Sequence, residues 1–284
     1  MGHSQRPARS LPARSSRGLF FRIRVGVLLG VFVLVLLYAA RELAVRRARR
    51  AWRAPLDVAL VLFERGPVDE TALDALDARL PALEDALARE FARYGGLFPP
   101  VRLHRFGPVP ERVVPPVPEP EPGLFEPARI SFALWRYARQ SDAAAGVSDQ
   151  LGEAYDGKIY VVLSAPRSSR RALVEGLGQE GGRIAVAHIE LSEDSVDFGL
   201  FVVAHELFHL LGADDRYGED GNAIIPDGLG DPDLEPLYPQ EGAEIMARGR
   251  VVEPGREMPP GDLSELRVGS ATAREIGWLP TLPP

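Results

Sequence analysis

The segment from Val202 to Tyr217, VVAHELFHLLGADDRY, holds the residues on which the fold and the function of this chain depend. Its apolar pattern predicts a helix over about 196–211. His205 and His209 stand four residues apart, so a helix presents both imidazoles on one face, one turn apart. Two such nitrogens can bind one metal ion at about 2 Å each. The segment therefore predicts a metal site, although two ligands alone do not complete one.

The residues that follow His209 provide a third ligand. Gly212 permits a left-handed residue three positions later, so the chain can reverse direction there. Asp215 then returns toward the two imidazoles, and a fourth position stays open for water, as a catalytic site requires. Glu206 adjoins the first ligand, where it can take a proton from a metal-activated water and pass it to a leaving amine. The full pattern is H-E-x-x-H-x-x-G-x-x-D.

This pattern resembles the long zinc-binding motif of the metzincin metallopeptidases. Aspartate replaces the more common third histidine, as in snapalysin-type members. Met246, within AEIMARGR, lies at the distance where metzincins place a methionine-bearing turn beneath the metal. We expect it to form a packed floor for the histidine rings, with ordinary core filling as the alternative. Some metzincin families carry a tyrosine two residues later; here that residue is Arg248, so this feature is absent.

The resemblance implies a zinc-dependent endopeptidase acting on protein or peptide substrates. One Zn²⁺ would be bound by His205, His209 and Asp215, with Glu206 as general base and then general acid. The implied fold has a metzincin-like twisted mixed sheet, an active-site helix, and a loop-rich C-terminal half with a Met-turn and a closing helix. In that plan the strand before the active-site helix is an antiparallel edge that pairs with substrate, and RIAVAHIEL (183–191) is the candidate.

Two other functions remain open at this point. One is a gluzincin-like metallopeptidase in which Glu241 or Glu244 is the third ligand and Asp215 is incidental. The other is a non-catalytic envelope protein that keeps a metal for structure or partner binding, in which Glu206 would be dispensable. A set of two histidines and one aspartate also accepts divalent ions other than zinc.

Several further residues near the motif could have a role. Asp214 competes with Asp215 as a ligand but lacks the motif spacing, so we place it on the surface. Tyr217 could donate to an oxyanion, although packing is favoured. His188 is expected to be an ordinary strand residue. An oxygen-rich loop could hold Ca²⁺, although solvated acids are favoured and no EF-hand spacing is met; its members are Asp220, Asn222, Asp227, Asp231 and Asp233.

Charge is spread unevenly along the 284 residues. Residues 1–53 carry +11 and the remainder carries −18 of the chain's net −7. The uncharged run VGVLLGVFVLVLLYAA interrupts the basic part at 25–40, and its flanking arginines can reach the headgroups. We therefore expect a basic tail at 1–24, a transmembrane signal anchor at 25–40 and a basic juxtamembrane segment at 41–54. An apolar span inside the basic arm argues against nucleic-acid binding.

The signal anchor predicts a single-pass protein of the cell membrane. No A-x-A cleavage site ends the apolar run, so we expect it to stay attached. A short N-terminal tail favours a body outside the cytoplasm, although arginines on both flanks weaken the positive-inside argument. The chain has no cysteine, which excludes a disulfide framework and a thiolate metal site. Oligomeric state is not predicted.

The remaining 55–284 is expected to form one α+β domain, with an α/β-like N-terminal half. Strands are predicted at 56–63, 101–106, 158–165 and 183–191. A helix with Leu73, Leu76 and Leu80 on one face ends at Gly95-Gly96, and Pro81 is expected to kink or split it. The acidic, proline-rich stretch at 107–123 is expected to be an extended loop. Shorter helices are predicted at 130–140 and 263–276.

Overall fold

The structure is a computed structural model that describes residues 16–117, 123, 126–147, 155–166, 175–178, 182–218 and 220–280. Most of the expected basic tail, residues 1–15, lies outside the described residues. The chain forms two compact units, Met1–Arg47 and Ala48–Pro284. The second unit is a mixed α/β body, which agrees with the predicted fold at that level.

Helix α1 runs from Ser16 to Arg49 and contains the predicted apolar span. It has one acidic residue, Glu42, and an 18-residue window within Phe20–Arg49 has a mean hydropathy of 2.5, with none of that window buried. At 1.5 Å per residue, the 34 residues extend about 50 Å, which exceeds the ~30 Å hydrocarbon core. By length and composition, α1 is therefore able to span a membrane. Which side the second unit occupies stays a prediction.

A five-stranded sheet organises the second unit. Its strands are β1 (Leu56–Glu64), β2 (Val101–Pro110), β3 (Gly157–Ser164), β4 (Glu175–Gly178) and β5 (Ile184–Glu190), in the spatial order β2-β1-β3-β5-β4. The first three pairings, β1 with β2, β1 with β3 and β3 with β5, are parallel, and only β4 runs antiparallel. Strands buried on both faces are expected to be continuous apolar runs, and the buried strands β1 and β3 fit this pattern.

Helices cover both faces of this sheet. Alternate residues of β1 divide between two core clusters: Leu60 packs with α2 (Glu70–Arg93) and the metal-motif helix, and Val61 packs with α3 (Glu126–Ala145). This division follows from the two-residue period of a strand. The metal-motif helix, α4 (Val196–Leu211), comes directly after β5 and a single 3₁₀ turn, Glu193–Ser195. The sheet thereby fixes where the motif begins.

The prediction that residues 183–191 form an antiparallel edge strand is wrong. β5, which contains most of RIAVAHIEL, is internal and parallel to β3, whereas the antiparallel edge is β4. Ala185, Val186 and Ala187 are all buried, as an internal strand requires. β4 has the sequence EGLG, in which two glycines remove the alternation that reveals a strand. It gave no sequence signal.

Two predicted breaks also differ from the structure. Helix α2 is continuous through Pro81, because that residue lies on an exposed turn where the loss of one backbone hydrogen bond is tolerated. The stretch expected to be a loop from 107 begins inside β2, which continues to Pro110. Of that stretch, residues 118–122 lie outside the described residues.

The C-terminal half is built from loops and very short elements. β6 (Ala243–Glu244) pairs with β9 (Leu266–Arg267), and β7 (Arg250–Glu253) forms a hairpin with β8 (Arg256–Met258). The predicted closing helix over 263–276 is wrong in its extent. A 3₁₀ turn occupies Leu263–Glu265 and α5 covers only Ser270–Glu275, because Leu266 and Arg267 are engaged in the β6–β9 pairing.

Trp52 ties the segment before β1 into the second unit, although it falls in the stretch expected to be juxtamembrane. Its indole Nε1 donates to Ile276 O at 2.8 Å. Its ring also packs against Phe91 and Trp278, with centroids 5.4 and 5.8 Å away. The compact unit accordingly begins at Ala48.

Candidate metal centre

Helix α4 carries the motif and ends where the sequence predicts. Its buried side includes Leu200, Val203, Leu207 and Leu210, which hold it against the sheet. Gly212 caps it with φ 91°, the left-handed conformation that favours glycine. The N–H of Ala213 donates to Phe208 O at 3.0 Å, which completes the reversal. The chain is thereby directed back along the helix toward the histidines.

The two histidines of α4 face each other through their Nε2 atoms. These atoms are 3.0 Å apart, and the two rings are perpendicular with centroids 4.6 Å apart. Nδ1 of His205 lies 2.8 Å from Ile245 O, and Nδ1 of His209 lies 2.9 Å from Ala213 O. A carbonyl oxygen only accepts, so at each of these contacts the imidazole Nδ1 is the donor and Nε2 is the atom that faces the site. Such backbone contacts are typical of histidines that bind metals.

Asp215 lies beside both imidazoles. Its Oδ1 is 3.3 Å from Nε2 of His205 and 3.3 Å from Nε2 of His209, and its side chain is 38% exposed. Partial burial would raise the pKa of Asp215, but its hydrogen bonds with the two histidines outweigh burial and lower it. Burial likewise would lower the pKa of His209, but Asp215 and then Glu206 raise it. Two nitrogens and one carboxylate oxygen thus converge on one point.

Glu206 is buried beside this point with only 2% of its surface exposed. Its Oε2 has no hydrogen-bond partner, although nearly all buried polar atoms in proteins have one. Burial raises the pKa of Glu206, while the adjacent His205 and His209 oppose that shift. One ligand atom from each of these three side chains lies within 4.8 Å of the others. A carboxylate oxygen of Glu206 is therefore close to the two imidazoles.

The tight turn that carries Met246 contacts His205 through the carbonyl of Ile245. The N–H of Ala247 donates to Glu244 O at 3.0 Å, and Met246 is fully buried in the main core. The same turn supplies the Ile245 carbonyl that orients His205, and its Met246 carbonyl accepts from the N–H of Arg216 at 2.8 Å. The turn thus connects the helix to the loop that carries Asp215.

Glu244 holds this turn together instead of facing the histidines. Its carboxylate accepts from the N–H of Met246 at 2.5 Å, the N–H of Gly269 at 3.1 Å and the Thr272 hydroxyl at 2.7 Å. Complete burial raises its pKa to about 7, against the lowering effect of those donors. Glu241, the other glutamate of the gluzincin hypothesis, is exposed. Neither belongs to the His205–Glu206–His209 group among the described residues.

Tyr217 and Arg248 extend the site on the side of Asp215. Burial and then Asp215, which forms a side-chain hydrogen bond with Tyr217, raise the pKa of that phenol. The guanidinium of Arg248 lies over the Tyr217 ring, 4.4 Å from its centroid, within the range of a cation–π contact. Arg248, which stands where some metzincins carry a tyrosine, thus contacts Tyr217 from another loop. Sequence spacing had no signal for this pairing.

The remaining candidate residues lie outside this group. His188 is half-buried on β5, opposite Val162 of β3. Asp214 is exposed, and its N–H donates to Glu275. In the oxygen-rich loop, Asp220 accepts from the backbone and side chain of Asn222, as in a local turn. Among the described residues, these acids do not join a metal-binding group.

Comparison with known proteins gives no identification. No protein-family model matches the chain, and no curated protein matches it significantly. The function must therefore be argued from the site itself.

Proposed function

We propose that this chain is a membrane-anchored, zinc-dependent endopeptidase of the metzincin type. His205, His209 and Asp215 hold the metal, and Glu206 is the general base and acid. The observation that carries the proposal is the approach of two Nε2 atoms to 3.0 Å while both Nδ1 atoms face carbonyl oxygens. With both Nδ1 atoms directed at carbonyl oxygens, the two Nε2 atoms are the ones placed to bind one shared cation.

The surrounding residues fit a divalent cation. Two imidazole nitrogens and one carboxylate oxygen form a donor set that zinc accepts, and three protein ligands leave a position open for substrate or water. The backbone carbonyls on both Nδ1 atoms provide the outer contacts that orient metal-binding histidines. Glu206 also fits such a centre, because its buried carboxylate has an oxygen without a hydrogen-bond partner and can accept a proton from water there.

The chain's own residues account for the proton transfers. Zinc held by His205, His209 and Asp215 would supply Lewis-acid chemistry, which polarises a carbonyl and lowers the pKa of water. Glu206, next to the proposed ligands and screened from bulk solvent, would take the proton from the attacking water with its carboxylate. It then returns that proton to the nitrogen of the leaving amine. Burial favours the protonated form of Glu206, which suits the second of these steps.

The alternatives are less well supported. Glu244 would have to give up three hydrogen bonds to bind a metal, which argues against a gluzincin-like ligand set. A purely structural metal site would have no use for a buried carboxylate with an unpaired oxygen. The resemblance also implied an antiparallel edge for substrate; the sheet has one, in β4 instead of β5. We assign peptide docking to β4 for that reason.

The proposal is tested by peptide cleavage with the full-length chain in detergent micelles. The parent and Glu206→Gln are each loaded with zinc and incubated with a mixed peptide library, and new termini are identified by mass spectrometry. Gln keeps the size of the side chain but cannot accept a proton. We expect cleavage by the parent to fall by at least ~10²-fold in the variant, the usual contribution of a general base.

Bound zinc separates this result from simple misfolding. Both proteins should hold equal zinc, because Glu206 is not a ligand. Equal cleavage by parent and variant would reject Glu206 as the general base. Zinc binding without cleavage in either protein would reject the peptidase and favour the non-catalytic alternative.

A further inference from the structure

Helix α3 carries large apolar side chains and arginines on its outer side. We call the group Phe132, Trp135, Arg136 and Arg139 the aromatic–arginine face. Phe132 is 59% exposed and Trp135 is 49% exposed, and their rings stack with centroids 5.7 Å apart. Arg136 and Arg139 are exposed as well. Such side chains clustered on one helix are unusual on a surface that faces only water.

The fold does not need this face. The opposite side of α3 fastens the helix to the sheet through Leu134, Tyr137 and Ala138, which are 3, 3 and 6% exposed. The helix is therefore held by its inner residues, and the outer aromatics add no contact with the core of the second unit. A binding partner would explain why Phe132 and Trp135 are exposed.

The charge of the face indicates the kind of partner. Arg139 lies over the Trp135 ring, 5.3 Å from its centroid, which keeps a cation and an aromatic side by side. Neither Arg136 nor Arg139 forms a salt bridge with any residue that the structure describes. Residues 54–284 carry a net charge of −18, so this is a local cationic group on an acidic body. This group would attract an anionic surface, although the body as a whole carries negative charge.

We propose that the aromatic–arginine face docks on an anionic lipid surface. Tryptophan and phenylalanine side chains enter the headgroup region, where an aromatic ring is favoured, and the guanidinium groups bind lipid phosphates. Covalent attachment to a membrane-spanning α1 keeps the second unit beside a bilayer, so weak lipid contacts are sufficient. The face would restrain the orientation of the body at the membrane. A second copy of this chain is the competing occupant.

Tryptophan quenching by brominated lipid tests this proposal on the full-length chain. The protein is reconstituted in vesicles of phosphatidylcholine and phosphatidylglycerol, with and without brominated acyl chains. The chain has three tryptophans, none of them in α1, and Trp52 and Trp278 are 9 and 6% exposed in the core. They provide an unquenched baseline. We expect bromolipid to reduce the emission by up to about one third, the share of Trp135, because indole rings settle at the interface.

Three variants identify the cause. Trp135→Phe should lose the quenching, and Arg136→Gln with Arg139→Gln should reduce it at least twofold in vesicles that contain phosphatidylglycerol. Arg89→Gln with Arg256→Gln removes the same charge from two other exposed arginines and should leave it unchanged. Equal quenching in the parent and Trp135→Phe would overturn the proposal. The proposal would also be overturned if Trp135 were shielded from bromolipid quenching to a degree that depends on the protein-to-lipid ratio and not on phosphatidylglycerol. That result would assign the face to a second copy of the chain.

Discussion

The Nε2 atoms of His205 and His209 lie 3.0 Å apart, with Oδ1 of Asp215 at 3.3 Å from each. The helix spacing produces the first approach, and the reversal at Gly212 produces the second. The three atoms come from eleven consecutive residues, 205–215, so the proposed ligand set is mostly a local property of the chain. Its orientation is not local, because His205 is held by the carbonyl of Ile245, forty residues away.

Asp215→Ala is expected to weaken zinc binding more than the ~10–100-fold typical of losing an outer contact, because a direct ligand is lost. Asp214→Ala, at the adjacent exposed acid, is the matched control and should leave the affinity unchanged. Glu241→Gln should also have no effect. Competition with a metal-sensitive dye measures all three. A loss of affinity in Glu241→Gln that matched or exceeded the loss in Asp215→Ala would favour the gluzincin-like ligand set.

Gly212→Ala should reduce both stability and zinc affinity. Its φ of 91° is left-handed, where a side chain lowers the free energy of unfolding by about 1–2 kcal/mol, and relief of that strain would move Asp215. Gly255→Ala is the control, since Gly255 has φ 72° and open space around a built Cβ, far along the chain from the ligands. Thermal unfolding should show similar losses for both variants, and zinc affinity should fall only for Gly212→Ala. Unchanged zinc affinity in Gly212→Ala would argue that Asp215 does not bind the metal.

Tyr217→Phe is expected to lower zinc affinity about 10-fold, within the range of outer-contact losses. The substitution removes the hydroxyl that bonds the Asp215 carboxylate but keeps the ring beneath Arg248. Phe201→Leu, a change at a buried residue of α4, controls for general loosening of the fold. The same dye competition measures it. An unaltered affinity would mean that Tyr217 only packs against the loop.

Glu244 should make stability depend on pH. Its pKa is about 7 in the folded protein and about 4.5 when the chain is unfolded, so the folded state holds a proton that the unfolded state has released between those values. The free energy of unfolding should therefore fall as pH rises from 4.5 to 7. Glu244→Gln cannot titrate, and it also places an amide against backbone N–H donors, so it should be less stable with a shallower pH slope. Denaturant unfolding at several pH values measures both, and parallel slopes would refute the assignment.

Sequence reasoning located the parts of the fold that depend on neighbouring residues. The apolar runs of β1, β3 and β5 and the helical spacing of α2 are strong local signals, and Gly212 marks the end of α4 correctly. β4 had no such signal, because EGLG becomes a strand only by pairing with β5. The end of the chain illustrates the same limit. The local sequence predicts a helix through Leu266, but this residue pairs with Ala243 of β6 and is therefore not helical.

The contacts that support the candidate site could not be predicted from the sequence, because they also join residues that are distant along the chain. A backbone carbonyl such as that of Ile245 exists at every residue, so nothing in the sequence marks the one that faces a histidine. Glu244 was an attractive ligand by residue type, but the fold surrounds its carboxylate with three donors. Burial of Glu206 was likewise a result of packing and not of motif spacing.

The central claim is that a metal held by α4 and Asp215 hydrolyses peptide bonds, and zinc-titrated cleavage tests it most directly. The full-length chain is stripped of metal, and cleavage of a peptide found in the library is followed as zinc is added back. We expect no cleavage without metal, a rise that saturates at about one zinc per chain as one such site requires, and no rise in His209→Ala. Cleavage that persists in the stripped chain, or zinc that binds at this site without restoring any cleavage, would contradict it.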